Sequence, residues 1–306
     1  MLEVLFSSST MASALRLATP IMLAALGGAF TYHANVFNIA LEGFMLMSAF
    51  FSVAGTIWTG SPWLGLLIGT IASVLTSLLY GLLVLKYHAD NIVAGIALNL
   101  GLLGLTTWLL EAIFKVRGVI MIESGGFKVI DIPLISKIPY IGDIISGQNL
   151  LVYFTILMII LCDLFIYKHT FGIRLRAVGE YPQAAESVGI NVNAYRLRAI
   201  LLSGVFCGFA GAFLTLSGAS MFSENMTAGK GFIALAAVFF SQGRPAMLLL
   251  GSLLFGYTDA ISVALQQFGV PPQLMFTLPY LITVIALTLI YAIPRRKKTK
   301  NAVATA

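Results

Sequence analysis

Charge is what this sequence has least of. Lys, Arg, Asp and Glu make up only 10% of its 306 residues, against about 25% in a soluble domain. That supply of polar surface cannot cover a water-soluble globule. Cysteine is nearly absent: Cys162 and Cys207 lie within apolar runs, with no C-x-x-C and no metal spacing. Histidine is as sparse, and His33, His88 and His169 stand far apart without a ligand pattern. No nucleophile–base constellation is visible, so neither a catalytic residue nor a metal site is expected. Around Gly229-Lys230 the chain has Glu224 and Gly231 where a P-loop requires Gly and Ser or Thr. Nucleotide chemistry is therefore excluded from this chain. The N-terminus lacks a basic region, and its apolar run continues into a full span, so no cleavable signal is expected.

What the sequence has is apolar length. Hydrophobic residues make up 59%, the mean hydropathy is +0.95, and the apolar runs are continuous rather than alternating. That excludes a β-barrel and predicts an all-α polytopic membrane protein. Nine spans are expected, at about 14–32, 38–57, 63–85, 92–114, 150–167, 199–219, 231–240, 246–265 and 276–293. The seventh is too short to cross alone and reads as a broken or re-entrant helix lining a protein cavity. The longest connection, 115–148, is broken by Gly125, Gly126, Pro133 and Pro139, and its amphipathic part is expected along the membrane surface.

The cations are unevenly placed. Five lie in the loop 168–198 (Lys168, Arg174, Arg176, Arg196, Arg198) and five in the tail 294–306. With both segments inside, alternation of the spans places twelve cations on the cytoplasmic face and six outside. The positive-inside rule then predicts an outer N-terminus and a cytoplasmic C-terminus.

The two halves resemble each other. Gly28-Ala29-Phe30 matches Gly211-Ala212-Phe213, Gly43-Phe44 matches Gly231-Phe232, and Phe50-Phe51-Ser52 matches Phe239-Phe240-Ser241. A proline turn follows each set, at Pro62 and Pro245. By the charge count the halves run in opposite senses. One transmembrane domain over 1–306 is expected: repeat one at about 14–114, a central helix at 150–167, a loop at 168–198, an inverted repeat two at 199–293, and a basic tail at 294–306. Inverted repeats belong to alternating-access transporters, whose sites lie near the bilayer midplane beside broken helices.

Two stretches carry candidate function. Within the loop 168–198, residues 181–188 read as a short helix with Pro182 in its first turn and Gly189 at its stop. Two turns are marginal alone in water, so this helix needs a partner surface. Within the second span, Asn38 and Glu42 are four residues apart and share a helix face. An acid in the bilayer is costly and should face the bundle interior or a water-filled path. Asn99 is the next polar candidate for such a path. Phe30, Tyr32 and Phe213 are aromatics able to stack on a planar ring. Helix packing by hydrogen bonds for Asn38 and Glu42, and core packing for each aromatic, are the alternatives.

These stretches carry a resemblance. Gly179, Ala184-Ala185 and Gly189-Ile190 are similar to the coupling-helix loop of permease subunits of ATP-binding-cassette (ABC) importers, in the branch that includes ribose, branched-chain amino acid and nucleoside permeases. Asn38-Ile39-Ala40-Leu41-Glu42-Gly43 resembles the N-I-G-L-E-G sequence of nucleoside-type permeases, with Ala40 in place of the usual Gly. The order four spans, one span, four spans resembles the core of vitamin B12-type importers less the first helix. The resemblance implies a bacterial inner-membrane permease that binds no cofactor and catalyses nothing. ATP and Mg would be bound by a separate cytoplasmic ATPase. It further implies a paralogous permease as heterodimer partner and an extracellular substrate-binding lipoprotein. Gly179, Glu180, Ala184, Ala185, Glu186, Gly189 and Ile190 would then meet the ATPase. Nucleosides are the expected substrate, with a ribose-type sugar as the alternative. An ion-coupled secondary transporter also fits inverted repeats, with Glu42 as its coupling residue.

Overall fold

The computed structural model describes residues 7–122, 125–131, 140–266 and 288. Eleven α-helices and four short strands lie among them. The chain opens with α1 (Ser8–His33), α2 (Leu41–Thr59), α3 (Pro62–Gly81, continued by a π turn over Leu82–Lys86) and α4 (Asn91–Phe114). Strands β1 (Val119–Met121) and β2 (Val129–Ile130), helix α5 (Ile141–Ile145) and strand β3 (Gln148–Asn149) fill the long connection. Then come α6 (Leu150–Tyr167), α7 (Thr170–Glu180), α8 (Pro182–Ser187) and α9 (Val192–Leu214, ending in a π turn over Thr215–Ala219). Strand β4 (Met221–Ser223), α10 (Lys230–Ser241) and α11 (Pro245–Gln266) complete the described chain.

Seven of these helices are long and apolar enough to cross a membrane. They correspond to expected spans one to six and eight. The seventh expected span is α10, whose 12 residues reach about 18 Å at 1.5 Å per residue, short of a hydrocarbon core of about 30 Å. The ninth expected span and the basic tail lie outside the described residues. Span one starts earlier than expected: Ser7 caps α1, its side chain accepting from Thr10 N at 3.2 Å, so an uncharged polar stretch is drawn into the helix.

Helix α1 is the centre of the bundle. Every residue from Ala18 to Thr31 is buried, although Pro20 sits inside it. By contrast α4 buries few residues and exposes Val93, Leu100 and Trp108. Small residues set the crossings. Gly65 and Gly69 of α3 lie against Ser52, Thr56 and Ser48 of α2, and Gly204 and Gly208 of α9 against Ser77 and Thr70 of α3. Close backbones of this kind are how apolar helices gain contact where water supplies no driving force. Serine hydroxyls add interhelical bonds: Ser73 Oγ donates to Gly204 O at 2.7 Å and Ser48 Oγ to Gly208 O at 2.5 Å.

The bundle has two distinct ends. At one, β1 pairs antiparallel with β4 and β2 with β3. At the other lie α7, α8 and the turn after α10, where His33 Nε2 and Gly243 O are 3.0 Å apart. The matched aromatics Phe30 and Phe213 lie in different cores. Phe30 stacks on Phe206 near the α7 end, whereas Phe213 packs with Phe50 and Phe222 near the strands.

Candidate functional site

Two helix starts meet in the interior, and side chains from elsewhere in the chain satisfy them. Helix α2 starts after a non-helical passage over 34–40, so Asn38 stands outside the helix and does not share a helix face with Glu42 as their spacing suggests. Ala40 is the N-cap of α2, which has no side-chain cap of its own. Asn99, from α4, supplies one instead. Its Oδ1 accepts from Gly43 N at 2.8 Å and its Nδ2 donates to Ile39 O at 3.0 Å. Asn38 Oδ1 accepts from Ala40 N at 3.0 Å, and its Nδ2 donates to Ser203 Oγ of α9 at 3.1 Å. Tyr80 Oη donates to Phe37 O at 3.0 Å. The irregular passage is thus hydrogen-bonded from three neighbouring helices, the condition for non-helical backbone in an apolar bundle.

Helix α10 starts at Glu42. Glu42 Oε1 accepts from Thr227 Oγ1 at 2.5 Å and from Gly229 N at 2.8 Å, and Oε2 accepts from Gly231 N at 2.6 Å. A carboxyl group there meets both the orphan amides and the positive end of the helix dipole. Gly231 is required by the approach: a Cβ on it would fall on the backbone of Glu42. The neighbouring Lys230 reaches α11, with Nζ 3.3 Å from Asp259 Oδ2 and both side chains under a fifth exposed.

The second arrangement is the α7–α8 loop. His169 caps α7, its Nδ1 accepting from Phe171 N at 3.2 Å. Gly179 packs on the end of α1, where a Cβ would fall on the carbonyl oxygen of His33. Helix α8 is only 6 residues long and is anchored through Ala185, which is 3% exposed and packs with Val178 and Val192. Ile190 packs at the edge of that cluster, and its N–H donates to Ala185 O at 3.0 Å. Ala184, Glu186 and Gly189 are exposed, as are Tyr181 at 71% and Val188 at 73%. Two exposed apolar side chains, Tyr181 and Val188, thus flank α8, whose own exposed residues are Gln183, Ala184, Glu186 and Ser187.

Between the two arrangements lies a cavity of about 530 Å³, walled by the end of α1, the 35–38 passage, α7 and α10. Tyr32, Asn38 and Glu180 line it, together with Phe37, Phe239, Gln242, Arg176 and Arg244. The path candidates thus separate. Tyr32 and Asn38 reach the cavity, Glu42 and Asn99 bind helix ends, and Phe30 and Phe213 are packed in the two cores. Sequence reasoning did not single out Phe37, Thr227 or Gln242. Thr227 meets Glu42 across 185 positions of sequence, a pairing with no local signal. Phe239 stood within the matched Phe-Phe-Ser triplets, which was its one visible signal. Among the described residues, no group of three or more His, Cys, Asp or Glu is placed to hold a metal ion.

Comparison with known proteins follows the same lines. A family model described as branched-chain amino acid transport system / permease component matches residues 10–292. The chain is 38% identical over 282 residues to the nucleoside ABC transporter permease protein NupC of Lactococcus lactis subsp. cremoris (strain MG1363), covering 89% of this chain and 88% of that one. It is 36% identical over 285 residues to the guanosine ABC transporter permease protein NupQ of Bacillus subtilis (strain 168), again covering 89% and 88%. A solved structure of a metal-chelate type ABC transporter in an inward-facing conformation aligns over 92% of this chain and 84% of its own, with TM-score 0.53 and 15% identity. That likeness is one of fold.

Proposed function

The chain belongs to the family of branched-chain amino acid transport permease components, and on that premise we propose that it is the membrane-spanning permease subunit of an ATP-driven importer of nucleosides. The observation that carries the substrate is the identity of 36–38%, over nearly nine tenths of the chain, to permeases named for nucleoside and for guanosine. The chain is a multi-pass protein of the cell membrane. Its α7–α8 end is cytoplasmic, its strand end and N-terminus are outside, and its C-terminus is inside. The clustering of Lys168, Arg174, Arg176, Arg196, Arg198 and Arg244 toward the α7–α8 end supports that orientation.

Helix α8 is the coupling element. Tyr181 and Val188, exposed at the two ends of an anchored short helix, are contacts for a cover, and a cytoplasmic ATPase holding ATP and Mg supplies it. Gly179 and Glu180 then relay motion of α8 to the end of α1, while Ala184, Ala185, Glu186, Gly189 and Ile190 form and brace the docking face. Two inverted repeats rock about the interior helix ends. Asn38, Glu42 and Asn99 fix those ends and so border the path, Tyr32 lines it, and Phe30 and Phe213 stiffen its walls. A paralogous permease completes the membrane unit, and an extracellular lipoprotein delivers substrate. Glu42 is a poor ion-coupling residue, because its two oxygens already accept three hydrogen bonds. That favours the ATP-driven reading over a secondary carrier.

The test is uptake of labelled guanosine into cells that express the chain with its partners. Uptake should stop when ATP is depleted and persist when the proton gradient is collapsed. Uptake that follows the proton gradient would overturn the ATP-driven reading. Transport of ribose without either guanosine or adenosine would overturn the substrate.

A further inference from the structure

The cavity beside α7 has a chemistry of its own. Three aromatic rings form one corner of it. Phe37 and Phe239 have centroids 5.4 Å apart with a 39° tilt, and Tyr32 meets Phe239 edge-on at 5.8 Å. In a packed interior such rings would be covered, yet Tyr32 and Phe37 are each 37% exposed and Phe239 is 39% exposed. Each thus keeps part of its surface free for an apolar, flat neighbour. The lining also includes polar groups, the amide of Gln242 and the carboxyl group of Glu180. The volume of about 530 Å³ lies within the range of small-molecule sites, which are largely apolar with a few placed polar groups.

The cavity also has a distinctive position. Its walls come from α1 and the 35–38 passage on one side and from α10 on the other, so it lies between the two matched halves of the chain and next to the short helix. Transporter sites recur at such repeat interfaces, beside broken helices. Arg176, which lies over the Tyr167 ring at 4.8 Å, lines the cavity together with Arg244 and Glu180.

We propose that this cavity is a nucleoside-binding subsite lined by this permease chain at its cytoplasmic end, with the base stacked in the Tyr32–Phe37–Phe239 corner and the ribose hydroxyls toward Glu180 and Gln242. The proposal rests on the nucleoside reading above. It adds that substrate is held within this chain as well as along any path shared with a partner permease. Because α7 forms one wall, an occupied cavity places the ligand directly against the segment that leads into α8.

The experiment is photolabelling of membranes that contain the assembled transporter, with radiolabelled 8-azidoadenosine as probe, alongside ATP-dependent adenosine uptake by the same preparation. Labelling should saturate, be competed by unlabelled adenosine, and map to peptides carrying residues 32–38 or 239–244. Phe239→Ala should weaken labelling about tenfold, as the loss of one base–aromatic stack does. Phe239→Tyr, which keeps the ring, should restore it, and that separates stacking from a general structural defect. Competed labelling confined to other segments, such as α4, would overturn the subsite while leaving nucleoside transport standing. So would uptake without competed labelling of this chain. Absence of ATP-dependent uptake of any nucleoside would instead remove the reading beneath it.

Discussion

The two polar stretches of this chain meet opposite fates. Asn38–Gly43 is buried: Asn38 is 1% exposed and Glu42 is 7% exposed, and both side chains are hydrogen-bonded to other helices. The α7–α8 stretch is open, with Tyr181 and Val188 more than two thirds exposed. In the first, polar groups are the minority and the fold has provided each with a partner. In the second, Tyr181 and Val188 stand uncovered at the two ends of a helix too short to be stable alone. A buried polar group that is fully satisfied holds the chain to itself, whereas the uncovered side chains are the ones proposed to meet another molecule. The contrast separates residues that build the bundle from residues proposed to address a partner.

The largest effect should follow from Glu42→Leu. It strands Thr227 Oγ1 and the Gly229 and Gly231 amides, three donors left without their acceptor at about 1–3 kcal/mol each. The folded fraction in detergent should fall sharply, and transport with it; unchanged thermal stability would break the comparison at its buried end. Asn99→Leu removes the acceptor for Gly43 N and the donor to Ile39 O, for a loss of about 1–3 kcal/mol, readable as a lower thermal midpoint. Gly179→Ala should cost a similar 1–3 kcal/mol through overpacking. It differs in site, because the added methyl must push α7 away from His33. Guanosine uptake should fall further than stability does, and equal losses would show that Gly179 only packs. Lys230–Asp259 should contribute least. Its side chains are 19% and 16% exposed, so desolvation of the two charges offsets most of their attraction, and replacing both together by leucine should leave the thermal midpoint nearly unchanged.

Much of the fold was legible because apolar length is a strong signal. Seven spans and the short helix at 231–240 read directly from runs of Leu, Ile, Phe and Ala, and α10 is observed at Lys230–Ser241. The motif Asn38–Gly43 stood out because an acid is rare in such a run. What Glu42 touches was not legible, since Thr227 and Gly231 lie 185 and 189 positions away and carry no mark of the contact. Nor was the pairing of Val119–Met121 with Met221–Ser223, because three-residue strands leave no alternation to detect. Gly179 was read as part of a loop motif. Its close approach to His33 is a property of two backbones that no side-chain pattern encodes. The cavity stayed hidden for the same reason: Tyr32, Phe37 and Phe239 are ordinary aromatics until the fold brings them to one corner.

If α8 is a coupling element, the exposed stretch around it is a partner surface. The direct measurement is co-purification of the ATPase chain with the permease carrying Ala184→Arg and Glu186→Arg, together with its thermal stability. Both positions are exposed, so stability should stay within about 0.5 kcal/mol of the unaltered chain, while the ATPase is lost and guanosine uptake ceases. Retention of the ATPase and of uptake, at matched membrane levels, would contradict the account.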